Sequence, residues 1–454
     1  QRKVSISNCI IENASPLDVP YIKRLIFLLN SLGYWPYEIM GRKEWFSVYR
    51  NSKFLFILWF TCFILQASYI KTNYDNLSFL DQGRLLINVL IGSTCQRSTM
   101  SWTKLYKDTT KCFFNKVHLF TALWKITVNL NKTFQMYLNV EKLSALFSNL
   151  LYIELFSGML FYNLTPLYNN YRRGMFSAIK PVNGTYDQAC FYDYVPFDYT
   201  TNVVGFIAIF VFTSYLSFDV AGSVCILDLY IFIIVFHIWG HIKILKNNLI
   251  NFPKPEIRGR IDPICNPPWY NEEESRNVTR LLVESIEHYR FMNDISTAWG
   301  ATICYYFFFH QLSECILLSA EAFGTFGILT FTLFQQLVTM SIVFELIGSQ
   351  SETINDAVYG VPWECMDTKN RKLLLIYLCN VQKPLNFKAL GMLPVGVQTM
   401  ASVLIFIYLY MLQSYVRNMH LLRRQRSRKL QCSGIAKLEG MFVSSKYPLS
   451  DQRG

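Results

Sequence analysis

The run Val203–Trp239 constrains the chain more than any other stretch, because its 37 residues carry only Asp219 and Asp228 as charges. As one α-helix it is about 55 Å long, well beyond the roughly 30 Å of hydrocarbon that a bilayer presents. Broken near Asp219 and Gly222, it would give halves of about 16 residues each, short for a crossing. Further apolar runs accompany it. Phe54–Ile70 has no charge, Leu85–Trp102 is diluted by Asn88, Ser93, Thr94 and Arg97, and Phe147–Leu167 is interrupted by Glu154. Thr297–Ser319, Thr325–Gly348 and Ala389–Gln413 complete the set. The pattern predicts an all-α polytopic membrane protein with seven transmembrane helices.

Charge sets the orientation. With seven spans and the N-terminus inside, inner segments hold 28 Lys and Arg and outer segments 14; splitting the long run changes this to 25 and 17. Basic residues favour the cytoplasmic side, so the unsplit run, a cytoplasmic N-terminus and an extracellular C-terminus are expected. Tyr21–Leu32 is apolar but too short to span, and its Lys23-Arg24 pair suggests an interfacial helix. No cleavable signal peptide is visible, and the sequence starts at Gln1 without an initiator methionine.

Composition excludes other classes. Charged residues make up 16% of the chain, against roughly 25% in soluble domains. The 36 Phe, 28 Tyr and 9 Trp rule out a solvated disordered chain. A formal charge of +12 could suggest nucleic acid, but the basic residues fall between apolar runs rather than on one soluble face, so no nucleic acid is expected. The 12 cysteines show no CxxC pair, which points to neither a zinc module nor a disulfide framework.

Enzyme signatures are missing: there is no GxSxG, P-loop, HExxH, or GxGxxG after a strand, so no catalytic residue and no cofactor is assigned. His237 and His241 share a helical face and could bind a metal, but without a third ligand nearby they read as helix-contact residues. Glu154, Asp219, Asp228, His310 and Glu314 lie within or beside spans, where ionisable groups are costly and become functional candidates. Asn183-Gly184-Thr185 is a glycosylation sequon in an outer loop. A G-protein-coupled receptor would place its N-terminus outside and carry DRY and NPxxY motifs, which are not found. No internal repeat of the kind common in transporters is detectable.

The C-terminal third is more specific. Ser351-Glu352-Thr353, Ala357-Val358-Tyr359-Gly360-Val361-Pro362-Trp363, Arg371-Lys372-Leu373-Leu374-Leu375 and Gln382-Lys383-Pro384-Leu385 follow in order. Ala389-Leu390-Gly391-Met392 and Gly396-Val397-Gln398-Thr399-Met400-Ala401-Ser402 come next. Earlier, Leu32-Gly33-Tyr34-Trp35-Pro36 and Phe236-His237-Ile238-Trp239-Gly240-His241 agree with them. This ordered set resembles the insect odorant receptor family over about residues 20–415, in a form most like moth and butterfly members. Gustatory receptors, the sister group, carry a TYhhhhhQF-like motif in the last span that Thr399-Met400 and Phe406 do not satisfy. A gustatory-type or G-protein-coupled receptor is the alternative.

The resemblance implies an odorant- or pheromone-binding subunit of a ligand-gated, non-selective cation channel. Its partners would be a small volatile organic ligand, an odorant co-receptor in a heterotetramer, and membrane lipid. It would lie in the plasma membrane of olfactory sensory neurons. The implied organisation is a cytoplasmic segment over 1–53 and a seven-helix domain over 54–413. That domain includes a cytoplasmic anchor at about 240–296 and 349–388, in which Trp363 and Pro384 have packing roles. The basic tail over 414–454 reads first as an overrun of the gene model, with a real extracellular tail as the second reading. Family architecture places the ligand pocket in the outer half of the bundle, at Met159, Phe161, Tyr162, Phe206, Phe210, Tyr215, Phe331 and Phe334. It places the pore on the seventh helix, with Tyr410, Gln413 and Ser414 as lining candidates.

Overall fold

The computed structural model describes residues 15–41, 52–73, 104–119, 130–177, 197–255, 270–298 and 320–383. Shorter stretches are described at 181, 184–186, 300, 303, 385, 388–389, 393–394, 396–402, 405 and 408–409. The principal helices are α1 (Pro20–Ser31), α2 (Ser52–Asn73), α3 (Lys104–Cys112), α4 (Leu130–Arg172), α5 (Val203–Ile250), α6 (Glu272–Ala298), α7 (Ala320–Tyr359) and α8 (Thr368–Val381). Strand structure among the described residues is one antiparallel pair, β1 (Lys388–Ala389) with β2 (Leu393–Pro394). The chain divides after Thr399 into two compact units. The second contributes helical residues at 400–402, 405 and 408–409.

The long apolar run is one unbroken helix. α5 spans 48 residues, begins on Asn202, whose side chain accepts from the Val204 amide, and passes Asp219 and Gly222 without a turn. From Leu229 to Phe236 every residue is buried, so this stretch lies at the centre of the bundle. α4 is longer than the apolar window 147–167 indicates: it has 43 residues and tolerates Pro166 near its C-terminal end. Its buried positions recur every three or four residues, at Thr133, Tyr137, Val140, Ser144, Ser148, Leu151 and Leu155, as one face of a helix requires. The opposite face exposes Leu146, Leu150, Ile153, Phe156, Leu160 and Leu164. An apolar stripe of that extent is foreign to a water-facing helix and suits acyl chains. Among the described residues, the helices over Lys132–Arg172 and Val203–Ile250 are long and apolar enough to cross a membrane.

The segment Tyr21–Leu32 forms α1, which buries Tyr21, Ile22, Leu25 and Leu29 against α4 and α5. Lys23 and Arg24 stay on its exposed side. It ends at Gly33, whose φ of 80° lets the Tyr34 amide turn back to the Leu29 carbonyl at 2.8 Å. The stretch from Ala389 does not open as helix. The β pair comes first and helix begins at Val397, since Pro394 cannot donate to a helical ladder. Gly396 also sits where a side chain would collide with Glu345. Trp363 is 44% exposed on the single chain, and Pro384 lies outside the described residues. The expected spans at 85–102 and most of 297–319 lie outside them too.

α6 and α8 pack on one another through a polar seam. Asp367 caps α8 by accepting from the Asn370 amide at 2.7 Å and also accepts from the Ser275 hydroxyl. Thr279 donates to Asn370 Oδ1 at 2.6 Å. Tyr289 of α6 donates to the Lys383 carbonyl at 2.7 Å, and the Ser351 hydroxyl of α7 accepts from the Leu385 amide at 2.9 Å.

Candidate ligand site

At one end of α5 a loop folds down over the helix. Asp198 accepts from the Thr200 amide at 2.8 Å, the Thr201 amide at 3.1 Å and the Thr200 hydroxyl at 2.9 Å, with the Thr201 hydroxyl as a fourth donor. Those donors hold its carboxyl down at about 2. The turn lies so close to α5 that a Cβ on Gly205 would overlap the Asp198 carbonyl. The loop thereby brings Tyr186 onto Phe206, stacked at 4.7 Å between centroids. Phe176 closes the side at 5.6 Å from Tyr186, and Phe210 lies one turn along at 6.0 Å from Phe206. The Tyr186 hydroxyl donates to the Met175 carbonyl at 2.9 Å, so the ring is fixed at both ends. Met175, Tyr186 and Phe206 are all buried, and this small aromatic core is separate from the main one.

Of the eight sequence-derived pocket residues, the structure brings Phe206 and Phe210 into this cluster. Met159 packs against the main core instead, and Tyr162 is half-buried on α4. Phe161 (59% exposed), Tyr215 (47%), Phe331 (68%) and Phe334 (40%) lie at the surface of the described bundle. Tyr410, Gln413, Ser414 and Asn183 lie outside the described residues. Sequence reasoning missed Met175, Phe176 and Tyr186, which sit in a loop without periodicity. It also missed the partners of Glu154: Gln335 and Gln336 on α7 donate to its two carboxylate oxygens at 3.3 and 3.1 Å, tying α4 to α7.

Toward the other end of α5 lies a network of four of the chain's six histidines. The Leu119 amide donates to His237 Nδ1 at 3.2 Å, which leaves the ring proton on Nε2. His237 Nε2 therefore donates to the Tyr21 hydroxyl at 2.9 Å, and that hydroxyl donates to His118 Nε2 at 3.0 Å. A second chain runs alongside: His288 Nε2 donates to His241 Nδ1 at 2.9 Å, and His241 Nε2 to the Val117 carbonyl at 2.7 Å. Both converge on the segment 117–119, which follows a π-helical turn at Phe113–Val117. Each direction is fixed only if the rings are neutral. Burial, and secondarily the nearby His241, pulls His118 down to about 3, and burial pushes the Tyr21 phenol well above its ordinary value. His288 is also lowered, by burial and then by His241. His237 and His241 have both ring nitrogens engaged in these bonds; among the described residues no group of three or more His, Cys, Asp or Glu is arranged to hold a metal.

The described helices thus combine an apolar outer face on α4, an aromatic cluster at one end of α5 and a buried polar network toward the other. The 7tm odorant receptor family matches residues 129–408, and the chain belongs to that family. It is an odorant-binding receptor and a membrane protein. The fold is similar to that of the insect olfactory receptor OR5 from Machilis hrabei in complex with eugenol. That match has a TM-score of 0.61 and 14% identity, covering 87% of this chain and 98% of that one. A second structure of the same receptor matches with a TM-score of 0.55 and 15% identity, covering 86% and 96%. No curated protein matches the sequence.

Proposed function

We propose that this chain is the ligand-tuning subunit of an odorant-gated, non-selective cation channel, assembled as a heterotetramer with a common co-receptor in the plasma membrane of olfactory sensory neurons. Membership of the odorant receptor family carries the reading. The N-terminus would be cytoplasmic and the C-terminus extracellular, with residues 240–296 and 349–388 forming the cytoplasmic anchor. The ligand would be a small, mostly apolar volatile such as a plant odorant or a pheromone component. Eugenol, bound by the receptor of Machilis hrabei, is one example of that class.

Tyr186, Phe206 and Phe210 form the best-supported part of the ligand site; Met159, Phe161, Tyr162, Tyr215, Phe331 and Phe334 stay as further candidates from the family architecture. Since Tyr186 and Phe206 stack directly, a ligand has to part them. A ligand that binds the parted state more tightly shifts the population toward it, which is the thermodynamic requirement for gating. α5 is unbroken from Phe206 to His237, about 46 Å at 1.5 Å per residue, so it can carry a tilt at one end to the histidine lock at the other. Tyr410, Gln413 and Ser414 remain the proposed pore residues, offering uncharged polar groups consistent with weak ion discrimination.

Whole-cell recording from cells expressing this chain with and without an insect odorant co-receptor, against plant volatiles and moth pheromone components, tests the proposal. The expected result is a rapid cation current only with both subunits present. A response that persists without the co-receptor but depends on G protein would overturn it in favour of a metabotropic receptor.

A further inference from the structure

At the end of α5 that lies beyond its aromatic cluster, a cavity of about 350 Å³ opens between α5 and the first turns of α4. That volume is within the range of small-molecule sites, roughly 300–1,000 Å³. Lys132 and Asn139 line it from α4, and Lys243 and Asn247 from α5, with Met136 and Ile244 supplying apolar wall; among the described residues no carboxylate lines it. Neither lysine forms an ion pair among the described residues. Asn247 Oδ1 already accepts from the Asn251 amide at 3.0 Å, so what Asn247 has left to offer is its own NH₂. The Lys243 ammonium lies 5.9 Å from the centroid of Trp239, an aromatic of the kind that marks the membrane–water boundary. Two cations facing one cavity repel each other, and an anion between them removes that cost.

We propose that this cavity is a binding site for a phosphate-bearing anion. The lysines and the Asn247 amide would hold the phosphate, and Met136 and Ile244 would receive the less polar part of the ligand. The headgroup of an anionic phospholipid carries this chemistry, as does a free polyol phosphate, and basic pockets between membrane helices at the cytoplasmic face are suited to such headgroups. The location at that face rests on the orientation proposed above; the anion site itself does not. Occupancy would brace α4 against α5 at the end remote from the odorant, so the lipid or phosphate would act as a second ligand of the receptor.

The test uses the purified full-length chain in neutral detergent. Binding of dioctanoyl phosphatidylinositol bisphosphate, inositol trisphosphate and dioctanoyl phosphatidylcholine is measured, without odorant, by the shift in the unfolding midpoint. The bisphosphate lipid is expected to bind saturably and phosphatidylcholine not at all. Lys132→Gln and Lys243→Gln should each weaken the bisphosphate lipid about fivefold. Lys369→Gln/Lys372→Gln on α8, away from the cavity, should leave it unchanged. Asn139→Asp, at an exposed position, adds a carboxylate at the rim and should weaken binding without touching the core. Equal binding of inositol trisphosphate would identify the phosphate itself as the ligand, and binding of the lipid alone would identify the membrane headgroup. Unchanged affinity in the cavity variants, or equal loss in the α8 control, would overturn the assignment.

Discussion

Replacing His118 with Gln should flatten the acid sensitivity of the folded receptor. The amide oxygen of Gln can accept from the Tyr21 hydroxyl where His118 Nε2 does, but it cannot titrate. In the native chain His118 is held at about 3 against an ordinary 6.5. Between those two values the unfolded chain binds a proton that the folded one does not, so stability falls as pH drops below 6.5 and is complete above it. From about pH 7.5 to about pH 5 the loss from this residue alone is about 2 kcal/mol, at 1.36 kcal/mol per pH unit. The assay is fluorescence-detected unfolding of the full-length protein in detergent at both pH values. The wild type should lose about 2 kcal/mol more than His118→Gln across that interval. His288, lowered in the same direction, remains in both proteins and contributes equally. Asp198, at about 2, titrates below the window. Identical pH slopes would refute the neutral-ring network.

Two other substitutions probe packing. A Cβ at Gly240 would collide with the fully buried Leu119 and approach Val140 Cγ2 to 3.0 Å, and Leu119 is pinned through its amide to His237. Gly240→Ala should therefore cost about 1–3 kcal/mol in overpacking, against a gain of about 1 kcal/mol in helix propensity, and lower the unfolding midpoint. An unchanged or higher midpoint would contradict the close approach. Glu154→Leu strips the Gln335 and Gln336 amides of their acceptors and should destabilise the protein by about 1–3 kcal/mol in the same assay, with Glu154→Gln milder.

What the sequence made legible follows the range of each interaction. The apolar run through α5 announced a single helix because nothing in it, not even Asp219 beside Gly222, terminates a helical ladder. α4 was under-read because its first half, with Lys132, Gln135, Asn139 and Lys142 exposed, fails an apolarity window. The period of three to four linking Thr133, Tyr137 and Val140 continues through it all the same. His237 and His241 were visible as a same-face pair. Tyr21, which bonds His237, and His118, which it joins to that ring, lie 216 and 119 positions before His237, and no local pattern joins residues at that distance. Tyr186 comes from a loop, where packing is set by the turn at Asp198 rather than by spacing. Phe161, Tyr215, Phe331 and Phe334 show the converse: helical spacing of aromatics does not by itself tell a buried face from an exposed one, and these four lie at the surface of the described bundle.

In the proposed mechanism an odorant binds the aromatic cluster of this chain and opens a channel directly. Excised, nucleotide-free patches carrying this chain and a co-receptor, exposed to a ligand identified in the whole-cell screen, test it most directly when wild type and Phe206→Ala are compared. Removing Phe206 deletes an aromatic wall that the parted site offers the ligand, and should raise the half-maximal concentration about tenfold and leave the maximal current intact, consistent with about 1.4 kcal/mol of lost ligand–aromatic contact. Current that vanishes on excision, or a Phe206→Ala response superimposable on the wild type, would contradict the account.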